Sequence, residues 1–159
     1  MARRTPAGAA LTALILEAFR LNGELLDAGN EITKPHGLTS ARWQVMGAID
    51  MAGRPLTVAQ IARRMGLARQ GVQRIVNDLV QLGMVVLQDN IDHQRAKLAS
   101  LSRKGHKAIA QIDEAQVAWV NRLSDGLSER EIKRALRLMK TVAERCPQSL
   151  EESCKRKQA

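Results

Sequence analysis

Apolar residues recur at helical spacing near the start of the chain. Between residues 10 and 34 they fall at Leu11, Leu14, Ile15, Ala18, Leu21, Leu25, Ala28 and Ile32. This i, i+3, i+4 pattern predicts one long amphipathic helix, which we expect to end at Pro35, His36 and Gly37. Because one small domain cannot cover so long a stripe, the pattern also predicts a partner chain.

The middle of the chain predicts two short helices joined by a tight turn. Residues 57–60 read Thr-Val-Ala-Gln, a capping box that begins a helix. Gly66 is expected to end that helix after Met65. After a three-residue turn, a further helix runs to Leu82 and buries Val72, Ile75, Val76 and Leu79. Two helices joined in this way form a helix-turn-helix.

Shorter patterns complete a mainly helical protein. Thr39 can cap a helix that carries Trp43, Val45, Met46 and Ile49. Met84–Leu87 and Ala96–Leu101 predict two β-strands joined by a polar hairpin tip. Two further helices are expected to begin after Ser102 and at the capping box of residues 128–131. Residues 147–159 are expected to form a flexible polar tail.

The composition and the length of the apolar runs argue against several classes of protein. Aromatic residues make up 2% of the chain, which argues against proteins that stack single-stranded bases on aromatic side chains. No apolar run approaches the roughly 18 residues of a membrane helix. Arg3 and Arg4 precede an apolar stretch, but Glu17 and Arg20 interrupt it. We therefore interpret this segment as a helix and not as a signal peptide.

Residues that could carry chemistry are few and scattered. Cys146 and Cys154 form no disulfide framework in 159 residues and indicate a reducing cytoplasm. We interpret both as incidental thiols. His36, His93 and His106 lie in separate segments without metal-ligand spacing, and there is no glycine-rich phosphate loop. We expect no enzyme activity, no metal and no cofactor.

Positive charge is concentrated in the central third of the chain. Residues 1–53 carry five basic and five acidic residues, residues 54–107 carry ten against three, and residues 108–159 carry ten against eight. The central excess accounts for most of the net charge of +9. A local basic block within a folded region is typical of proteins that bind polyanions.

The second helix of the predicted helix-turn-helix carries side chains that can read bases. Its first turns present Arg69, Gln70, Gln73 and Arg74. Arginine binds guanine and glutamine binds adenine in the major groove, which admits an α-helix. Gly71 leaves room for the backbone to approach DNA. The hairpin adds Gln94, Arg95 and Lys97, which we expect to reach the adjacent minor groove.

These segments resemble the MarR family of winged helix-turn-helix transcriptional regulators. LTVAQIARRMGLARQGVQRIVNDLVQLGMV, residues 56–85, is similar to the family's helix-turn-helix, and DNIDHQRAKLASLSRKG, residues 89–105, to its wing. The resemblance covers residues 10–146. It implies a homodimer built from the first and last helices, with two winged lobes on a pseudopalindromic DNA site.

The resemblance also implies where the wing and an effector would act. The family's wing usually reads Asp-Arg-Arg, and the aligned residues here are His93, Gln94 and Arg95. Asp92 is the neighbouring acidic residue, and we expect Arg95 to enter the minor groove. The family's peroxide-sensing branch uses a cysteine in the first helix, and this sequence has none there.

A small effector is often bound between the dimer region and the DNA lobe in this family. The candidate residues for such a crevice are Phe19, His36, Arg42, Trp43 and Met46. An arginine beside an indole suits an aromatic or anionic ligand such as an aromatic carboxylate. The alternative is that Trp43 and Met46 belong to the hydrophobic core.

Together these observations predict a mainly α protein with a small β-hairpin. A winged helix-turn-helix lobe is expected over residues 38–107, and a helical dimerisation region over residues 10–34 and 108–146. The leading function is a dimeric, sequence-specific regulator of transcription that binds double-stranded DNA, by resemblance more often a repressor. The alternatives are a non-specific architectural DNA-binding protein and a helical interaction module for an acidic protein partner.

Overall fold

The computed structural model describes residues 3–91 and 96–158, with side chains up to residue 146. In this part of the chain the elements are α1 (Pro6–Thr33), a 3-10 turn (Lys34–His36), α2 (Ser40–Asp50), β1 (Leu56–Thr57), α3 (Val58–Met65), α4 (Arg69–Gln81), β2 (Val85–Gln88), β3 (Leu98–Leu101), α5 (Arg103–Leu123) and α6 (Glu129–Gln158). The predicted fold class, mainly helical with a small β-element, is confirmed.

The first helix begins earlier than its apolar stripe suggests. Thr5 caps α1 because its hydroxyl accepts a hydrogen bond from the Gly8 amide at 3.0 Å, and Pro6 occupies the first helical position, where its missing N–H costs nothing. At the other end, Thr33 is fully buried, and its hydroxyl donates to the carbonyl of Gly29 at 2.8 Å. The amide of Ser40 donates to the Asn30 side chain at 2.8 Å. The bond from Ser40 joins the start of α2 to the end of α1.

The β-element is a three-stranded antiparallel sheet in the order β1-β3-β2. The predicted hairpin corresponds to β2 and β3, where Val85 pairs with Leu101 and Leu87 with Ala99. Strand β1, in which Leu56 pairs with Ala99, was not predicted from the sequence. A two-residue strand is too short to show an alternating pattern, and only the neighbouring strand β3 defines it.

The core of the lobe lies between the helix-turn-helix, α2, the sheet and the first half of α5. Its fully buried large side chains include Val45, Met46, Leu56, Ile61, Val72, Val76, Leu79, Val85 and Ile112. Trp43 and Ile75 pack against this core while partly exposed. The apolar faces predicted for α2 and α4 are therefore the faces that the protein buries.

The chain divides into two compact units, residues 1–117 and residues 118–159. The second unit holds the end of α5 and all of α6. The backbone of α6 is helical through Gln158, past Pro147, where the sequence analysis expected the helix to end. Residues 150–158 are rich in Glu, Lys, Arg and Gln, which favour helices as well as being polar. The flexibility of residues 147–159 and the boundaries of the dimerisation region remain predictions.

Candidate nucleic-acid interface

The predicted helix-turn-helix is present as α3, a short turn and α4. The Thr57 hydroxyl accepts from the Gln60 amide at 3.2 Å, and the Gln60 side chain accepts from the Thr57 amide at 2.8 Å. This reciprocal pair is the predicted capping box. Gly66 adopts a φ of 64° at the end of α3, a left-handed conformation that glycine adopts without steric penalty. The turn between the two helices therefore follows from local sequence alone.

Helix α4 separates a buried face from an exposed one. Val72, Val76 and Leu79 are fully buried, and they hold the helix on the lobe. Arg69, Gln70 and Arg74 are exposed on the first turns, and Gln73 is half-buried. The four predicted base-reading side chains therefore lie near the N-terminus of α4, away from its buried residues.

One polar residue on this face was missed by the sequence analysis. The Asn77 side chain is exposed, and its Oδ1 accepts a hydrogen bond from Gln73 Nε2 at 3.0 Å. An asparagine four residues after a predicted reader lies on the same helix face, so the spacing could have found it. The Asn77 amide orients the Gln73 amide, and both are residue types that read adenine.

The sheet brings the wing against the start of α4. Arg69, Gln73 and Lys97 line one cavity of 170 Å³, together with residues at the start of α3. Lys97 is largely exposed, with its Nζ 4.0 Å from Asp89 Oδ1. The predicted minor-groove residues Gln94 and Arg95 lie outside the described residues.

Two further arginines border a second basic cleft. Arg54 and Arg63 line a cavity of 610 Å³ beside β1 and the base of the wing. Both belong to the basic block of residues 54–107, but no role was predicted for them, since Arg54 precedes β1 and Arg63 lies in α3. Their common cleft depends on the pairing of β1 with β3.

The orientation of α4 is fixed by polar contacts from the elements around it. Arg42 Nη2 on α2 donates to Asp78 Oδ2 on α4 at 3.0 Å. Lys104 Nζ donates to the carbonyl of Leu82 at 2.9 Å, at the C-terminal end of α4. The Ser102 hydroxyl donates to the carbonyl of Gly83 at 2.6 Å and accepts from the Gly105 amide at 3.0 Å. These contacts connect α4 to α2 and to the start of α5.

The five predicted effector residues lie in different surroundings. Trp43 lines a cavity of 470 Å³ beside α5, and the other four are not among its lining residues. Met46 has no exposed surface, in agreement with the core alternative. Arg42 is paired with Asp78, Phe19 is 72% exposed on α1, and His36 is half-buried in the 3-10 turn.

A metal-ligand cluster and a membrane-spanning helix are both absent from the part of the chain that the structure describes. Among the described side chains, no group of three or more His, Cys, Asp or Glu residues is placed to hold a metal ion. Within residues 3–91 and 96–158, no helix combines the length and the apolar character needed to cross a membrane.

Comparison with known proteins finds one matching family model and a related protein of similar sequence. The family model described as MarR family matches residues 36–96. An uncharacterized protein of Mycobacterium tuberculosis (strain ATCC 25618 / H37Rv) is 40% identical over 114 residues, which cover 72% of this chain and 78% of that protein.

Some solved structures with the same fold contain bound DNA or a bound small molecule. A MarR variant from E. coli complexed with operator DNA has a TM-score of 0.75 and 21% identity, covering 84% of this chain and 95% of that chain. The M. tuberculosis regulator MosR in complex with DNA has a TM-score of 0.70 and 20% identity, and the match covers 83% of this chain and 96% of that chain. CouR from Rhodococcus jostii RHA1, bound to p-coumaroyl-CoA, has a TM-score of 0.70 and 21% identity, and the match covers 78% of this chain and 87% of that chain.

The family model covers α2, the helix-turn-helix and β2, and the solved structures agree with the fold over most of the chain. The chain therefore belongs to the MarR family of transcriptional regulators and has the family's winged helix fold.

Proposed function

We propose that this protein is a sequence-specific regulator of transcription that binds double-stranded DNA with α4 in the major groove. The observation that carries this proposal is the exposed N-terminal face of α4, where Arg69, Gln70 and Arg74 lie opposite the buried side chains. Arginine and glutamine can each make paired hydrogen bonds with one type of base. A surface that bound DNA through its charge alone would not need glutamine at these positions.

The wing extends this surface toward the adjacent minor groove. Lys97 lies beside Arg69 and Gln73 in one cavity, so a duplex that contacts the start of α4 also passes the wing. In the sequence, Gln94 lies three residues and Arg95 two residues before Lys97. We assign Arg95 to the minor groove because a narrow groove attracts a positive charge.

The functional unit is a homodimer that acts in the cytoplasm. Leu11, Leu14 and Leu25 on α1 are each about two-fifths exposed, and Ile132 and Leu136 on α6 about half exposed. Exposed apolar surface of this extent marks an interaction site, and a second copy of the chain would cover it. A two-fold symmetric dimer presents two copies of α4 and so fits a pseudopalindromic DNA site.

The regulator acts as a repressor that an effector releases. The predicted effector is aromatic or anionic, with Arg42 as the expected partner of the anion. Arg42 Nη2 already lies 3.0 Å from Asp78 Oδ2, so the side chain is engaged with α4. The support for an effector site in the described structure therefore comes from Trp43 and its cavity.

Substitution of Arg74 tests the assignment of α4. Arg74 is exposed one turn after Gln70, and we expect Arg74→Ala to weaken binding to the cognate site by about 1–3 kcal/mol and to flatten the preference for one base. The measurement is a titration at fixed salt of a duplex selected from random sequence by the native protein, and of duplexes changed at single positions. Arg20→Ala removes the same charge from α1 and is expected to leave the base preference unchanged.

The outcomes of this titration separate the competing functions. Equal weakening on every duplex would make Arg74 a phosphate contact and contradict its assignment as a base reader. Equal affinity of the native protein for all duplexes would favour an architectural DNA-binding protein. Absence of salt-dependent DNA binding would favour an interaction module for an acidic protein.

A pair of substitutions in the wing tests the minor-groove residue. We expect Arg95→Ala to retain the dimer and its thermal stability but to lose affinity, most strongly at A·T-rich flanks. An exposed pair between Arg95 and Asp92 or Asp89 would contribute at most about 1 kcal/mol to stability. Gln94→Ala should have a smaller effect on affinity, because its amide carries no charge. Titrations of operators with A·T or G·C flanks measure both variants, and a larger loss for Gln94→Ala would reverse the assignment.

A further inference from the structure

A cavity of 470 Å³ opens between α2, the end of α3 and α5. Its apolar walls include Trp43 and Met51 from α2 and the following turn, Met65 from the end of α3, and Ile109 from α5. A cavity of this size, lined mostly by apolar groups with a few polar ones, is typical of small-molecule sites. The indole of Trp43 and the two polarizable methionine side chains suit a flat organic body.

The charged groups of this cavity are all acidic. Among its described lining residues, Asp50 and Asp113 carry charge, and none is lysine, arginine or histidine. An acidic lining is unusual for a chain that has 25 basic and 16 acidic residues. The cavity is therefore a local negative site on a protein whose net charge is +9.

The two carboxylates are close enough to affect each other. Burial raises the pKa of Asp113, and the charge of Asp50 raises it further. Asp50 Oδ1 also lies 3.4 Å from His106 Nδ1, but that imidazole is 62% exposed, and an exposed pair of this kind contributes little. A positive charge placed between the two carboxylates would relieve their repulsion.

We propose that this cavity binds an organic cation with a flat apolar body, such as an aromatic ammonium compound. The apolar body packs on Trp43, Met51 and Met65, and the positive charge lies near Asp50 and Asp113. A cation near the face of an indole is also attracted by the ring itself. A role for this cation as an effector rests on the proposed regulatory function, whereas binding itself does not.

Calorimetric titration of the full chain without DNA tests the proposal. The probes are benzyltrimethylammonium as the cation and benzoate as the anion of similar size. We expect saturable binding of benzyltrimethylammonium at one site per chain and none of benzoate. Asp50→Asn and Asp113→Asn should each weaken cation binding about fivefold, the upper range for an exposed charge pair.

Glu114→Gln is the matched control for these variants. Glu114 follows Asp113 on α5 and is not among the lining residues of the cavity, so the same loss of charge should leave cation binding unchanged. Circular dichroism melts confirm that each variant is folded. The proposal is overturned by no saturable cation binding at millimolar concentration, by equal binding of benzoate, or by equal effects of Asp113→Asn and Glu114→Gln.

The absence of DNA keeps this test separate from the proposed function. A protein that binds selected duplexes but not the cation would overturn the cavity proposal alone. A protein that binds the cation but shows no sequence-dependent DNA binding would retain the site and contradict the regulatory function.

Discussion

Gly105→Ala is expected to lower the free energy of unfolding of the DNA-binding lobe by about 3 kcal/mol, the cost of forcing a methyl group into a closed contact. A Cβ atom on Gly105 would lie 2.2 Å from the carbonyl oxygen of Met84. That oxygen cannot move away easily, because it accepts a hydrogen bond from the Ser102 amide at 2.9 Å. The contact joins the start of α5 to the segment between α4 and β2, so DNA binding should fall as well.

Thermal melts at equal protein concentration measure this effect. A loss of about 3 kcal/mol in a chain of this size lowers Tm by roughly 6–12 °C. Gly71→Ala is the matched control, because Gly71 is the third residue of α4 and has open space around the position of a Cβ. Alanine is favoured over glycine in a helix by about 0.5–1 kcal/mol, so this variant should melt at the native temperature or above it. Equal Tm values for the two variants would refute the close approach at Gly105.

Leu14→Glu is expected to convert the proposed homodimer into monomers. We expect the native protein to be a homodimer at micromolar concentration, with twice the chain mass of 17.5 kDa. Leu14 lies in the apolar stripe of α1 and is 39% exposed. In a two-fold symmetric interface each substitution is present twice, and each places an unpaired carboxylate against apolar surface. The dissociation constant should rise at least about a hundredfold, since each uncompensated charge costs several kcal/mol.

Light scattering over a range of protein concentrations measures the assembly. Arg20→Glu is the control, because it places the same side chain on the face of α1 where Arg20 pairs with Glu17 and Glu24. That variant should remain dimeric. A native protein that stays at 17.5 kDa would contradict the homodimer, and a Leu14→Glu dimer as stable as the native one would exclude this stripe from the interface.

Strand β1 and the surroundings of three residues on α2 could not be predicted from the pattern of apolar and polar residues. Strand β1 is two residues long and exists through its pairing with β3. Arg42 was expected to bind an anionic ligand, whereas in the fold its guanidinium donates a hydrogen bond to Asp78, 36 residues away in the sequence. Trp43 and Met46 looked alike as apolar residues of α2, yet Met46 is fully buried and Trp43 lines a cavity.

What the sequence by itself determined is local. Thr39 and Thr57 cap their helices, Gly66 ends α3, and the spacing of Val72, Val76 and Leu79 separates the two faces of α4. Each of these features depends on residues within one or two helical turns, so a single sequence contains all that is needed to predict them. The tertiary structure alone decided which side chains meet across elements. The cavity with Asp50 and Asp113, the cleft with Arg54 and Arg63, and the contact of Gly105 with Met84 all join residues from different elements. Their proximity follows from the packing of the common core, which no local spacing encodes.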